Sequence, residues 1–140
     1  MVDKNLEPIR IVFEEKIPMH KFLGLKVKVL KKNYAKINIP FRQELIGDFR
    51  NNRWHGGIIA AILDAVGGLV GATLITSSED KLATIDLRVD YLKGAKAQDI
   101  TVEGTTVKLG NRILVTQMKA FQNGQFIAEG KGVYSLIRNN

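Results

Sequence analysis

One carboxylate stands alone in the most apolar stretch of this chain. Between Gly56 and Ser78, a run rich in Gly, Ala, Ile, Leu and Val, Asp64 is the single charged residue. A carboxylate with few polar neighbours is partly desolvated, which raises its pKa and suits it to take a proton from water or to attack an electrophile directly. The same residue also suits a structural part, hydrogen-bonded or paired with a base at an interface. Just upstream lies Trp54-His55-Gly56-Gly57. Two glycines opening a helix leave backbone N–H groups at the positive end of its dipole with no side chain in the way. Such a nest binds an anion or an oxygen that is gaining negative charge. Paired glycines also make ordinary tight turns, and His55 suits a loop-anchoring histidine better than an acid–base one. His55 and Asp64 are nine residues apart, which at about 100° per residue puts them on opposite sides of a continuous helix. They are not a catalytic pair within one chain.

Composition narrows the chemistry further. The 140 residues include no cysteine, which excludes disulfide scaffolds, thiolate-bound metal and thiol catalysis. Two histidines make a multi-histidine metal site an unlikely design, so no metal is expected. The length suits one domain over residues 1–140, large enough to bury a core without staples. A net charge of +7 calls for a partner with negative charge, for which nucleic acid, anionic lipid and a phosphate-bearing metabolite all qualify. Residues 1–16 mix both signs of charge and lack the apolar run of a signal peptide, so a cytoplasmic location is expected.

The elements that must position Asp64 are legible from periodicity. Asn5–Lys16 reads as a short amphipathic helix with Pro8 early in it and Pro18 as its end, part of a helical extension over residues 1–20. Leu25, Val27 and Val29, then Ala35, Ile37 and Ile39, alternate with polar residues around a Lys31-Lys32-Asn33 turn. Further strands are expected at Ala83–Tyr91, Asp99–Lys108, Ile113–Phe121 and Gln125–Ile137, with turns at Gly110-Asn111 and Asn123-Gly124. In the Ala83–Tyr91 strand, simple alternation puts Thr84, Asp86, Arg88 and Asp90 on one face and Ile85, Leu87, Val89 and Tyr91 on the other. The pattern is α+β: an antiparallel sheet covered by one long apolar helix. A membrane span is argued against by Asp64, by Gly67, Gly68 and Gly71, and by a sheet that needs covering.

On a helical wheel, Ile58, Ile59, Ile62, Leu63, Val66, Leu69, Val70 and Leu74 make a bulky half that fits a sheet face. Ala60, Ala61, Ala65, Gly67, Gly68, Gly71, Ala72 and Asp64 make a small half, open to close approach by a second backbone, a second subunit or a ligand.

The run His55-Gly56-Gly57-Ile58-Ile59-Ala60-Ala61-Ile62-Leu63-Asp64 resembles the HGG-x6-D signature of hot-dog-fold acyl-CoA thioesterases, in the branch named after phenylacetic acid degradation. Thr84-Ile85-Asp86-Leu87-Arg88-Val89-Asp90-Tyr91-Leu92 is similar to that family's second motif, and Lys108-Leu109-Gly110-Asn111-Arg112 to its glycine-basic turn. The resemblance implies a hot-dog fold, an antiparallel sheet wrapped around a long central helix. It implies active sites at a dimer interface, with a homodimer at minimum and a homotetramer, a dimer of dimers, as the common form. Asp64 would be the general base or nucleophile, and the N–H of Gly56, with Gly57, would polarise the thioester carbonyl. His55 would shape the loop, and Thr84 would help place the water. Two positions depart from the family pattern. Asp48 and Phe49 stand where relatives often carry Asn or Gln, leaving Asn51 or Asn52 to serve, and Lys93 is followed by Gly94 where a proline is usual.

On this reading the substrate is an acyl-CoA, and no cofactor is needed, because the thioester carbonyl is already activated. Lys93, Lys108 and Arg112, with Lys96 and Arg138, lie near strand ends where the coenzyme A phosphates would pass. Phe22, Trp54, Leu69, Thr73 and Phe121 are candidate walls for the acyl group. Rival readings are a hot-dog dehydratase or hydratase acting on hydroxyacyl thioesters, with His55 and Asp64 from different subunits, and a non-catalytic acyl-CoA sensor. Nucleic acid is disfavoured, because no basic strand carries interleaved aromatic residues.

Overall fold

A computed structural model describes residues 1–138. The chain begins with a 3-10 turn at Lys4–Leu6 and continues as α1 (Glu7–Ile11), a π-helical turn at Val12–Lys16, and α2 (Pro18–Leu23). The expected first helix is thus present with its hydrogen-bond pattern loosened. Pro18 closes it and then stands at the start of a second helix that alternation did not suggest. Proline is at home there, because its φ is preset and the first N–H groups of a helix have no partner within that helix. Gly24, at φ 72°, ends α2 in the left-handed conformation glycine adopts without strain. Phe13 and Leu23 are buried and anchor the two stretches to the core.

The strands follow the alternation closely. They are β1 (Lys26–Lys31), β2 (Tyr34–Ile39), the short β3 (Ile46–Asp48) and β4 (Arg53–Trp54), β5 (Lys81–Tyr91), β6 (Ile100–Leu109), β7 (Ile113–Gln122) and β8 (Gln125–Ile137). Six of them form one antiparallel sheet in the order β1-β2-β6-β7-β8-β5, while β3 and β4 make a small ribbon. Asn33 (φ 69°) and Asn123 (φ 47°) turn the tight hairpins. The long helix α3 (Gly56–Ala72) lies on one face of the six-stranded sheet, burying Ile59, Ile62, Leu63, Val66, Leu69 and Val70. Each such side chain contributes about 1.5–3 kcal/mol on burial. Room for the helix comes from β6: a Cβ on Gly104 would stand 2.7 Å from Val66 Cγ1.

Two features of the helix and its neighbouring strand differ from simple periodicity. Gly67 and Gly71, assigned to the open small half, are buried against the sheet. A Cβ on Gly67 would run into the Tyr134 phenol, and one on Gly71 would lie 2.7 Å from Leu82 Cδ2. Ile58, assigned to the bulky half, is only half-buried. In β5 a bulge falls between Thr84 and Asp86. An extra residue in a strand reverses which side chains face inward beyond it. Leu82 and Thr84 therefore share the helix-facing side with Leu87 and Val89, and Ile85 points away, 56% exposed. Among the described residues no helix is long and apolar enough to cross a membrane.

Candidate active site

Asp64 sits midway along α3, half-buried, facing the first half of β5. Its Oδ1 accepts hydrogen bonds from Thr84 Oγ1 at 3.0 Å and from the Tyr134 hydroxyl at 3.1 Å, the latter shared with the Asp64 carbonyl. No lysine or arginine pairs with this carboxylate among the described residues, and Oδ2 receives no hydrogen bond from them. One oxygen is therefore pinned and the other is left for chemistry. Burial raises the Tyr134 phenol well above its ordinary range, and the charge and hydrogen bond of Asp64 push the same way. Tyr134 stays protonated and remains a donor. The β5 bulge is what brings Thr84 into this cluster.

Asp64 borders a cavity of about 640 Å³, within the usual range for small-molecule sites. Its floor is the small half of α3, namely Asp64, Ala65, Gly68 and Ala72 with Leu69. Its far wall is the N-terminal segment, through Pro8, Ile9, Val12, Phe13, Ile17 and His20, and Leu82 and Thr84 of β5 close the side. The small helix face is thus covered by the chain's own first helices across an apolar space. Of the expected acyl walls, Leu69 lines this cavity. Trp54 instead borders a pocket of about 220 Å³ beside Gly56. The Thr73 hydroxyl is spent on Val70 O (2.6 Å) and Asn33 N–H (3.0 Å).

The second group of expected residues gathers at the start of α3. His55 is the N-cap: its N–H donates to Leu45 O at 2.7 Å and its Nδ1 accepts from Gly57 N–H at 2.9 Å. That bond occupies the Gly57 N–H, so Gly57 is not a free oxyanion donor in this arrangement. The Gly56 N–H has no partner among the described residues. The Tyr91 hydroxyl, at the far end of β5, donates to Gly56 O at 2.7 Å. Lys93 lines the pocket beside Gly56. Asn52, at φ 57°, sits in the exposed turn between β3 and β4, where asparagine tolerates the left-handed conformation.

The structure therefore joins Asp64 with Thr84, and His55 with Gly56, Gly57 and Lys93, but keeps the two groups apart. Eight helical steps separate Gly56 from Asp64, about 12 Å along the axis. Lys108 and Arg112 lie exposed at the opposite end of the sheet, around the β6–β7 turn, where Leu136 N–H donates to Arg112 O at 2.8 Å. Arg138 is committed to Asp80 at 3.4 Å and to Leu74 O. Sequence reading missed Tyr134 and His20. Tyr134 looks like any inward residue of an alternating strand, and His20 lies in a helix that alternation did not suggest.

Comparison with known proteins points the same way. The model of the thioesterase superfamily matches residues 51–125, which include His55, Gly56, Gly57, Asp64 and Thr84. The medium/long-chain acyl-CoA thioesterase YigI of Escherichia coli K12 is 30% identical over 145 residues, covering 94% of each chain. The crystal structure of a Shewanella oneidensis protein related to the thioesterase superfamily aligns with a TM-score of 0.83 at 35% identity, over 93% of this chain and 94% of that one. Thioesterase HI1161 of Haemophilus influenzae shares the fold, with a TM-score of 0.82 at 18% identity over 95% and 90% of the two chains. None of these carries the name of the phenylacetic acid branch. A match across more than half of the sequence, and a relative aligned over nearly all of it, make this chain a member of the thioesterase superfamily, and its enzyme class is thioester hydrolase.

Proposed function

We propose that the protein hydrolyses acyl-coenzyme A, releasing a carboxylic acid and free coenzyme A. The observation that carries this reading is the Asp64 carboxylate, with Oδ1 anchored by two hydroxyls, on a residue that borders an apolar cavity of about 640 Å³. Asp64 acts as general base toward water or as nucleophile. The acyl chain lies between α3 and the N-terminal helices. A cavity of this size favours medium to long chains, as the name of the Escherichia coli relative does for that protein. The thioester oxygen is received by the Gly56 N–H at the positive end of α3. One such donor is worth about 3 kcal/mol, and a positioned base about 10²–10⁴-fold.

The site is completed by a second copy, because Asp64 and Gly56 of one chain stand too far apart to share one carbonyl. The two sheet edges support this reading. Along β1, Asp3 N–H donates to Leu30 O (2.9 Å) and Leu30 N–H to Met1 O (3.1 Å), so that edge is capped. The β5 edge is bare among the described residues, with Ile85 and Tyr91 exposed. Antiparallel pairing of two β5 edges would bring the Thr84 end of one copy toward the Tyr91 end of the other. That pairing would carry Asp64 toward the second copy's Gly56 and place Lys108 and Arg112 at the same end of the joined sheet as its Lys93, where the coenzyme A phosphates would have cationic partners. A homotetramer would add a second such dimer, and a cytoplasmic location accords with an acyl-CoA substrate.

The test is release of free coenzyme A from acyl-CoAs of graded length, with wild type and Asp64→Ala compared at known oligomeric state. Hydrolysis that collapses in the folded variant supports the reading, and equal activity in both sinks it. His20 and Asp64 border one cavity, as a hydratase would require. Enoyl-CoA hydration without coenzyme A release would therefore replace hydrolase with hydratase, and tight binding without turnover would make the protein a sensor.

A further inference from the structure

The N-terminal helices bring a second titratable group to the cavity that holds Asp64. In a π-helical turn each carbonyl meets the N–H five residues on. Five residues after Phe13 comes Pro18, which has none. The His20 ring takes that place: Nδ1 lies 2.9 Å from Phe13 O, and the imidazole packs on the Phe13 ring with centroids 4.2 Å apart. A carbonyl only accepts, so Nδ1 carries the proton, and the neutral ring keeps Nε2 as an acceptor. Nε2 has no hydrogen-bond partner among the described residues, and His20 borders the same cavity as Asp64 and Thr84. Burial holds the imidazole below its ordinary 6.5, against the opposing pulls of the Phe13 carbonyl and the Asp64 charge. The accepting form therefore prevails at neutral pH. The titratable groups that share the cavity with it are Asp64 from α3 and Asp80 from the loop before β5. Asp80 is held by Arg138, and β5 adds only Leu82 and Thr84.

We propose that His20 is a second catalytic residue of this site, its Nε2 receiving one O–H of the hydrolytic water while Asp64 takes the other proton; the inference rests on the hydrolase reading above. The water oxygen bonds to the thioester carbon as one of its protons passes to Asp64 Oδ2. When the C–S bond breaks, its electron pair leaves on sulfur, which takes that proton back from Asp64. The new carboxylic acid passes its remaining proton to His20 Nε2 and departs as a carboxylate. Protonated His20 offsets the repulsion between that carboxylate and Asp64 before releasing the proton to solvent. The π-helical turn and the proline after it thus set which ring nitrogen faces the reaction.

Two substitutions separate this role from a packing role. His20→Asn can keep the bond to Phe13 O but offers no acceptor at the Nε2 position, whereas His20→Gln places an amide near Nε2 that accepts without titrating. Each is tested in the full-length chain by coenzyme A release from a medium-chain acyl-CoA across pH 5–8, with melting temperature measured in parallel. The expected result is that His20→Asn lowers kcat about tenfold or more with KM little changed. His20→Gln, which accepts a hydrogen bond but cannot take up the proton, recovers only part of that loss, and its acid-side fall in kcat moves to lower pH than in wild type. A His20→Asn enzyme with wild-type kcat, or a His20→Gln enzyme with the wild-type acid limb, overturns the inference; the second result is decisive even if His20→Asn folds poorly. Loss of activity in Asp64→Ala beside either of those results leaves the hydrolase reading standing. Full activity in Asp64→Ala removes that reading and this inference together.

Discussion

The two halves of the proposed site sit on one helix yet are built from different materials. At its N-terminus α3 offers backbone: a Gly56 N–H, a Gly57 N–H already used by His55, and loop ties from His55 to Leu45 and from Trp54 to Ala95. In its middle it offers one side chain, Asp64, oriented by hydroxyls from two strands and bordering an apolar cavity. A helix terminus stabilises negative charge because its dipole and free N–H groups are fixed by the fold. A carboxylate that must accept a proton needs an oxygen left free of donors, and only Oδ1 of Asp64 receives hydrogen bonds from the described residues. Both conditions are met in one chain, about 12 Å apart. That separation is the reason a second copy enters the proposed function.

The largest expected effect breaks the side-chain half. Asp64→Ala should lower kcat by about 10²–10⁴-fold, read by coenzyme A release, with a circular dichroism spectrum like that of wild type. The backbone half is broken by Gly56→Pro. Proline is tolerated at the first helical position, and His55 already has the extended backbone that a residue before proline prefers (φ −67°, ψ 125°). The variant removes the N–H and should cost about 10²–10³-fold in kcat at nearly unchanged melting temperature. Co-refolding Asp64→Ala with Gly56→Pro then sharpens the comparison. If the halves come from different copies, each mixed dimer holds one intact site, and roughly a quarter of wild-type activity returns. No recovery, with mixed dimers verified by mass spectrometry, would place both halves in one chain.

A smaller effect probes what supports the carboxylate. Gly67→Ala puts a methyl group against the Tyr134 phenol and should cost about 1–3 kcal/mol in urea unfolding. Because Tyr134 is one of the donors to Asp64, kcat should fall with it, whereas Gly68→Ala, with open space at its Cβ, should leave stability near wild type. The smallest effect is a slope. His20 is held below 6.5 in the folded chain, so as pH drops the unfolded chain takes up its proton first. The stability that neutral His20 contributes is present above pH 6.5 and is lost as pH falls through the lower folded value. Melting temperature from pH 7.5 to 5 should decline less in His20→Gln than in wild type.

Much of this was legible before any coordinates. The alternation in β1, β2, β6, β7 and β8 reports strands with one buried face, and the turn residues Asn33 and Asn123-Gly124 stand where they were expected. The lone charge of Asp64 and the glycines before it mark the two halves of the site. The errors share a cause. Gly67 and Gly71 read as an open face because small residues serve equally for close packing and for a cavity, and only Tyr134 and Leu82 on the facing strands decide between them. Simple alternation groups Thr84 with Asp86, Arg88 and Asp90 because the bulge after it leaves no mark in a period-two pattern.

Local chemistry decides which residues can form a strand, cap a helix or carry a proton, and those properties belong to the sequence by itself. The lone carboxylate, the glycine-opened helix and the alternating strands all have that origin. Which oxygen of Asp64 stays free, which cavity His20 borders, and which face Thr84 joins were decided only in the tertiary structure. Each depends on contacts between residues far apart in the chain: Asp64 with Thr84 and Tyr134, and His20 across the cavity from α3. No local pattern encodes a hydrogen bond between residues 64 and 134. Packing the helix on the sheet creates it.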